Sequence, residues 1–184
     1  MKWKYTLLLL MILVYSVSLQ AQENWITING GYAFADLKDT DVKTTGWRIS
    51  AAYEKNAYEG NMANGVVVGY IATEATVDGG VGQQTNYKLN TWPIYYMPKY
   101  LFGGDSFKGF LKGAIGMHIS DYTKTGLLIV ENNGVGFYGG LGAGAMFTIN
   151  KLFISAEYEW AFASNSNYRN GFMNSAMLGI GIKF

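Results

Sequence analysis

The 184-residue chain has no cysteine, so it holds no disulfide framework, no thiolate metal site, no cysteine nucleophile and no cysteine for a lipoprotein-type anchor. Proline occurs only at Pro93 and Pro98. Charged residues make up 15% of the chain, against roughly 25% in an ordinary soluble domain. The net charge of +1 leaves no electrostatic footprint for nucleic acid. A single histidine, His118, supplies too few nitrogen donors for a metal centre, and neither a metal nor a cofactor is expected. Disorder is excluded from the other side, because 16% of the residues are aromatic and 49% are hydrophobic.

One apolar run is present. Lys2 and Lys4 precede a wholly apolar stretch from Leu7 to Val14, and Ser16 to Ala21 turns small and polar. The run is too short to span a bilayer, which needs about 20 apolar residues. Basic start, short apolar core and small-residue end read as a secretory signal peptide over residues 1–21, cleaved after Ala21. Residues 22–184 then form one domain of an exported protein, and no window in them reaches the 18 apolar residues of a spanning helix.

Period-2 alternation fills that domain. Toward the end of the chain Phe172, Ala176, Leu178, Ile180, Ile182 and Phe184 share one face, and Ser175, Met177, Gly179, Gly181 and Lys183 share the other. Ile154, Ala156, Tyr158, Trp160 and Phe162 oppose Ser155, Glu157, Glu159 and Ala161; Val135, Phe137, Leu141, Ala143, Ala145, Phe147 and Ile149 oppose Gly136, Tyr138, Gly140, Gly142, Gly144 and Thr148. A helix with these offsets would have no coherent face. Similar segments lie at 107–120, 87–100, 66–75, 45–54 and 25–35, with the facing of 66–75 and 87–100 left open by a continuous apolar run and by the two prolines. The total is eight strands, each long enough to cross a bilayer at about 9–11 residues. Tight connections at 103–105 and 150–151 fall at one end, and polar loops at 36–43, 77–84, 121–132 and 164–170 at the other. The connection at 55–64 is the long exception. The fold expected is all-β, an eight-stranded antiparallel up-and-down transmembrane β-barrel.

Alternation names two faces without orienting them. An eight-stranded barrel has an interior that side chains just fill, so the face carrying Gly136, Gly140, Gly142, Gly144, Gly179 and Gly181 suits the crowded inside. The aromatic and aliphatic face suits lipid. Tyr53, Phe147, Phe153 and Phe184 near one end, and Phe34, Trp160, Phe162 and Phe172 near the other, read as two interfacial girdles.

With this pattern the domain resembles the small eight-stranded outer-membrane barrels of the OmpA-transmembrane and OmpX-like group. The residues carrying the resemblance are Met177–Phe184 with its terminal aromatic, Thr91-Trp92-Pro93-Ile94-Tyr95-Tyr96 with Lys99-Tyr100, and Lys108-Gly109-Phe110 with Gly113-Ala114-Ile115-Gly116, where a common subgroup has proline in place of Gly109. The resemblance implies a Gram-negative outer-membrane location. It also implies contact with outer-membrane lipid and lipopolysaccharide, and Phe184 as a signal read by the outer-membrane assembly machinery. A monomer is expected.

Charges on the lumen face carry the most information. Arg48, Lys112 and Glu157 lie at similar depth and Glu159 one step further out, so they are expected to pair as a cluster, with Lys108 below and Lys88 as a further candidate. Such a cluster is a proton or ion path, or a polar plug that rigidifies the barrel; the plug suits a filled interior better. His118 and Ser120, with Glu131, invite an acyl-transfer mechanism like that of the lipid A deacylases. In those enzymes, however, the pair sits on the penultimate strand facing lipid, where this chain has Glu157-Tyr158-Glu159. A polar rim histidine is the reading preferred, and no catalytic residue is assigned. Asp36, Asp39 and Asp41 lack the spaced glycine and bidentate glutamate of a calcium loop. Gly140, Gly142 and Gly144 precede no helix, so they are packing residues and not a phosphate cradle.

The function expected is non-enzymatic, structural or binding through the outer loops. A lipid-modifying enzyme, a passive porin-like pore and a soluble lipocalin-like periplasmic barrel are the alternatives.

Overall fold

In the computed structural model, residues 22–38, 42–57, 60–78, 84–126 and 129–184 are described. The proposed signal peptide, residues 1–21, lies outside them, as do Asp39 and Asp41. Eight strands run in chain order: β1 (Gln22–Asp36), β2 (Lys43–Ala57), β3 (Met62–Asp78), β4 (Gln84–Gly103), β5 (Phe107–Thr125), β6 (Val130–Ile149), β7 (Leu152–Ala163) and β8 (Phe172–Lys183). Each pairs antiparallel with the next, and β8 returns to β1 through Trp25↔Lys183 to Phe34↔Asn174, closing the barrel. Closure leaves no sheet edge in the bilayer, where unpaired backbone groups are costly.

Alternation and closure together decide the faces. Ile28, Val68, Ile94, Leu111, Ile115, Leu141, Ile154, Leu178 and Ile180 are exposed, while Thr27, Asn29, Arg48, Ser50, Lys112, Ser155, Glu159 and Ser175 are buried. This inversion of the soluble pattern is what a strand does when one side meets lipid and the other a filled lumen. On β3, Val66 and Val68 face out and Val67 and Ile71 in; on β4, Trp92, Ile94 and Tyr96 face out and Leu89, Tyr95, Met97 and Lys99 in.

The two prolines do not break β4. Pro93 keeps its place opposite His118 of β5 while the register to β3 skips from Val68↔Ile94 to Ile71↔Thr91; Pro98 stays opposite Asn64 of β3 while the register to β5 skips from Tyr96↔Ile115 to Lys99↔Lys112. Each proline lacks an N–H on one side only, so one ladder lapses and the other continues. A glycine stands across each lapse. A Cβ on Gly69 would lie 3.2 Å from the Pro93 ring, and one on Gly113 would lie 3.3 Å from the Pro98 ring.

Four expectations are corrected. Lys88, between the buried Tyr87 and Leu89, faces outward opposite Glu74 and so does not enter the lumen. Phe153 is not part of an interfacial girdle: it is 3% exposed and packs inside against Trp25, ring centroids 5.6 Å apart. The connection at 55–64 is short, because pairing continues through Lys55↔Asn64 and Asn56↔Ala63. The outer loop placed at 121–132 is mostly hairpin, with Asp121↔Asn133 and Lys124↔Val130 still in register.

The barrel is uneven in height. On β6 the pairs to β7 begin at Tyr138↔Ala163, but the pairs to β5 extend to Lys124↔Val130. On β3 the pairs to β2 end at Glu74, but the pairs to β4 extend to Asp78↔Gln84. The outer parts of β3, β4, β5 and β6 therefore rise beyond the closed ring as a four-stranded sheet. Its β6 side is about 26 Å long, from the eight residues Val130–Phe137 at roughly 3.3 Å each.

Candidate functional site

The buried charges meet at the centre of the lumen. Arg48 extends from β2, with Nη1 donating to Glu159 Oε1 at 2.6 Å and to Ser175 Oγ at 3.4 Å, and Nη2 donating to the Tyr95 hydroxyl at 2.9 Å. Lys112 of β5 places Nζ 2.7 Å from Glu159 Oε2 and 2.9 Å from Glu157 Oε1. The Tyr138 hydroxyl donates to Glu159 Oε1 at 2.6 Å, and the Tyr95 hydroxyl donates to Oε2 at 3.3 Å. The rings of Tyr95 and Tyr138 stack with centroids 5.1 Å apart. Glu159 thus receives four donors, about the number of lone-pair sites a carboxylate offers. Burial of a lone carboxylate here would be prohibitive, and this saturation is what makes it tolerable.

A second pair lies nearer the periplasmic end. Lys99 Nζ is 2.6 Å from Glu54 Oε2 and 4.8 Å from the centre of the Phe110 ring, while Thr27 Oγ1 donates to Glu54 Oε1 at 3.4 Å. Glu54 shares the parity of Arg48 on β2 and could have been read from it. Lys99 was hidden by the undecided facing of its strand. Lys108 shares the face of Lys112 but lies two inward steps nearer the periplasm, half-buried opposite Met146, and the central ion pairs do not include it. Three cations, Arg48, Lys99 and Lys112, face three anions, Glu54, Glu157 and Glu159, and the centre is neutral.

Apolar layers close both ends. Trp25, Ala63, Leu101, Phe110, Met146 and Phe153 fill the periplasmic side. Leu37, Ile71, Leu89, Met173 and Tyr168 belong to the outer one. Between them remains a cavity of about 10 Å³ beside Asn29, Glu54, Lys99 and Lys112, room for about one water and not for a continuous aqueous column.

His118 and Ser120 are both buried at the outer rim of the lumen. The His118 Nε2–H donates to the Ser164 carbonyl at 2.7 Å, and Ser120 Oγ reaches the Gly134 carbonyl at 3.5 Å. Among the described residues no hydrogen bond joins the two, and Glu131 is exposed further up, opposite Thr123. No group of three or more His, Cys, Asp or Glu capable of holding a metal occurs among the described residues. Phe184 is 56% exposed at the periplasmic rim, and its backbone N–H and C=O both pair with Asn24.

Closed topology, lipid-type outer surface and a neutral packed lumen define a small membrane-spanning β-barrel. The chain belongs to the outer membrane protein beta-barrel domain family, whose model matches residues 7–184. Its place is therefore the outer membrane. Among curated proteins none matches. Solved structures share the fold at low identity. A major outer membrane protein from Thermus thermophilus aligns over 90% of this chain and 100% of its own, at 11% identity and TM-score 0.62. Neisserial surface protein A aligns over 88% and 97%, at 18% and 0.58. Ail, the attachment invasion locus protein of Yersinia pestis, aligns over 90% and 100%, at 17% and 0.56.

Proposed function

We propose that the protein is a non-enzymatic outer-membrane barrel that acts at the cell surface, as a structural element and through its outer loops. The observation that carries this reading is the sheet formed by the outer parts of β3 to β6 above a filled barrel. Val130–Gly134 has its strand partner in β5 alone, and Ile129, Val130 and Val135 expose 70%, 45% and 63% of their surface. An extended strand with apolar side chains, paired on one side only above the contacts of Phe137 and Val135 with Ser164 and Asn165, suits recognition of another polypeptide. A packed lumen with a saturated ion cluster suits mechanical rigidity and disfavours transport. Export through the N-terminal signal, recognition of Phe184 by the assembly machinery, contact with lipopolysaccharide and a monomeric state belong to the same reading.

The test compares cells displaying the full chain with cells in which residues 122–132 are replaced by a two-residue turn, scoring capture of extracellular proteins and peptides. Equal capture by both would remove the hairpin from the function. Lipid A incubated with the purified protein and weighed by mass spectrometry is expected to keep all its acyl chains; their loss, abolished by Ser120→Ala, would establish the enzymatic alternative.

A further inference from the structure

Residues 164–171 connect β7 to β8, and the chain folds down into the mouth of the barrel instead of standing away from it. Tyr168, 1% exposed, is its lowest point, and its hydroxyl lies 3.1 Å from Thr91 Oγ1 on β4. The backbone is tied to the first outer loop by a Leu37↔Tyr168 bridge and by Lys38 N–H donating to the Asn167 carbonyl at 2.9 Å. His118 Nε2–H holds the Ser164 carbonyl from the lumen wall. Beneath the Tyr168 ring lie Met173 and then Ser175, a partner of Arg48.

Two features separate this segment from the barrel. The β7–β8 ladder closes at Phe162↔Phe172 and the β6–β7 ladder at Tyr138↔Ala163; Ser164 still bonds Phe137 of β6, and past it the segment has only the isolated Leu37↔Tyr168 bridge. The chain also enters the left-handed region at both ends, at Asn165 (φ 56°) and at Asn170 and Gly171 (φ 52° and 76°). These residue types adopt that conformation at least cost, and a change of direction concentrated there leaves the strands unmoved. Past Ser164 the segment is held by the Tyr168 ring, the Leu37 and Lys38 ties and the Asn165 amide on the Val135 carbonyl, whereas the strands inside the ring are held by a ladder on both sides. Local opening draws on such weakly tied elements first.

We propose that residues 165–171 are a strap, hinged at Asn165 and at Asn170–Gly171, that seals the outer mouth by seating Tyr168. The strap lifts as a unit and exposes the upper lumen down to the Arg48–Glu159 layer while the barrel stays folded. It adds to the surface role an internal chamber reachable only from outside the cell.

The cysteine-free chain allows a direct test. Ala33→Cys places one thiol on the lumen face of β1, at a position 1% exposed. With the native strap, a charged thiol reagent that cannot cross the membrane should label it slowly. Tyr168→Ala should raise the rate at least tenfold, and Tyr168→Phe, which keeps the ring, only a few-fold. Gly134→Val is an independent wedge outside the strap, because a Cβ there would collide with the Asn165 carbonyl oxygen; it should raise the rate as Tyr168→Ala does. Heat-modifiable migration in SDS should persist in all variants. In the unaltered protein, the Lys38 and Gly171 amides, bonded to Asn167 and Tyr168, should exchange with deuterium at least a hundredfold faster than the strand amides of β1. Equal labelling in every variant, loss of the folded band in Tyr168→Ala, or exchange of those amides only at the strand rate would each overturn the strap.

Discussion

Glu159 shows how much one lumen carboxylate depends on its neighbours. Arg48 and Lys112 supply its charge partners, and Tyr95 and Tyr138 complete its shell. Arg48→Met removes one cation and leaves the carboxylate buried with a deficit. Breaking a buried pair in this way costs about 3–5 kcal/mol. The expected outcome is a lowered urea midpoint of the barrel refolded in lipid vesicles; an unchanged midpoint would show that the pair contributes nothing. Joint replacement, Arg48→Met with Glu159→Leu, should cost less than the two single changes summed, because no charge is then stranded. Lys88→Ala is the matched control. Lys88 lies outside, opposite Glu74 on the protruding sheet, so its loss should change stability by no more than about 0.5 kcal/mol.

At the scale of the strand, the outward tyrosines define where the bilayer ends. Tyr53 and Tyr96 donate to Asn24 and Asn64 toward the periplasmic rim; Tyr70 and Tyr158 donate to Asn90 and Asn174 toward the outer rim. Asn174 stands opposite Phe34, ten residues along β1 from Asn24, a span of about 25 Å across the membrane at the usual strand tilt. Leu178 lies between these levels on β8 and is 71% exposed, so Leu178→Arg should destabilise the folded barrel by about 2–4 kcal/mol, read by the same urea titration. Gly69→Val tests the space left for Pro93. The added methyls would press on a ring that cannot turn aside, and about 1–3 kcal/mol of crowding is expected. A neutral result would mean that β3 and β4 can shift apart at the lapse.

As a whole molecule the barrel has a packed lumen. Two apolar layers enclose a neutral charged layer, and the cavity beside Asn29, Glu54, Lys99 and Lys112 is about 10 Å³. Planar bilayers containing the purified protein should therefore stay at baseline current with the strap closed. Well-resolved steady conductance steps from the unaltered protein would contradict the packed lumen.

The alternation of Phe172–Phe184, and of the segments before it, was enough to count the strands and to sort their side chains into two sets, because period 2 is a local property of extended backbone. It also marked Arg48, Lys112, Glu157 and Glu159 as sharing the charged face. Lys99 and its partner Glu54 went unnoticed, since two prolines obscured one strand and no local signal links residues 45 positions apart. The facing of Phe153, the reach of β5 and β6 beyond the ring, and the descent of Tyr168 into the mouth were equally invisible. Local chemistry along the chain determined the strands and their two faces. The tertiary structure alone decided which face is enclosed, which charges stand at one depth and what stops the mouth, because these follow from the register between strands and from closure, which belong to all eight strands at once.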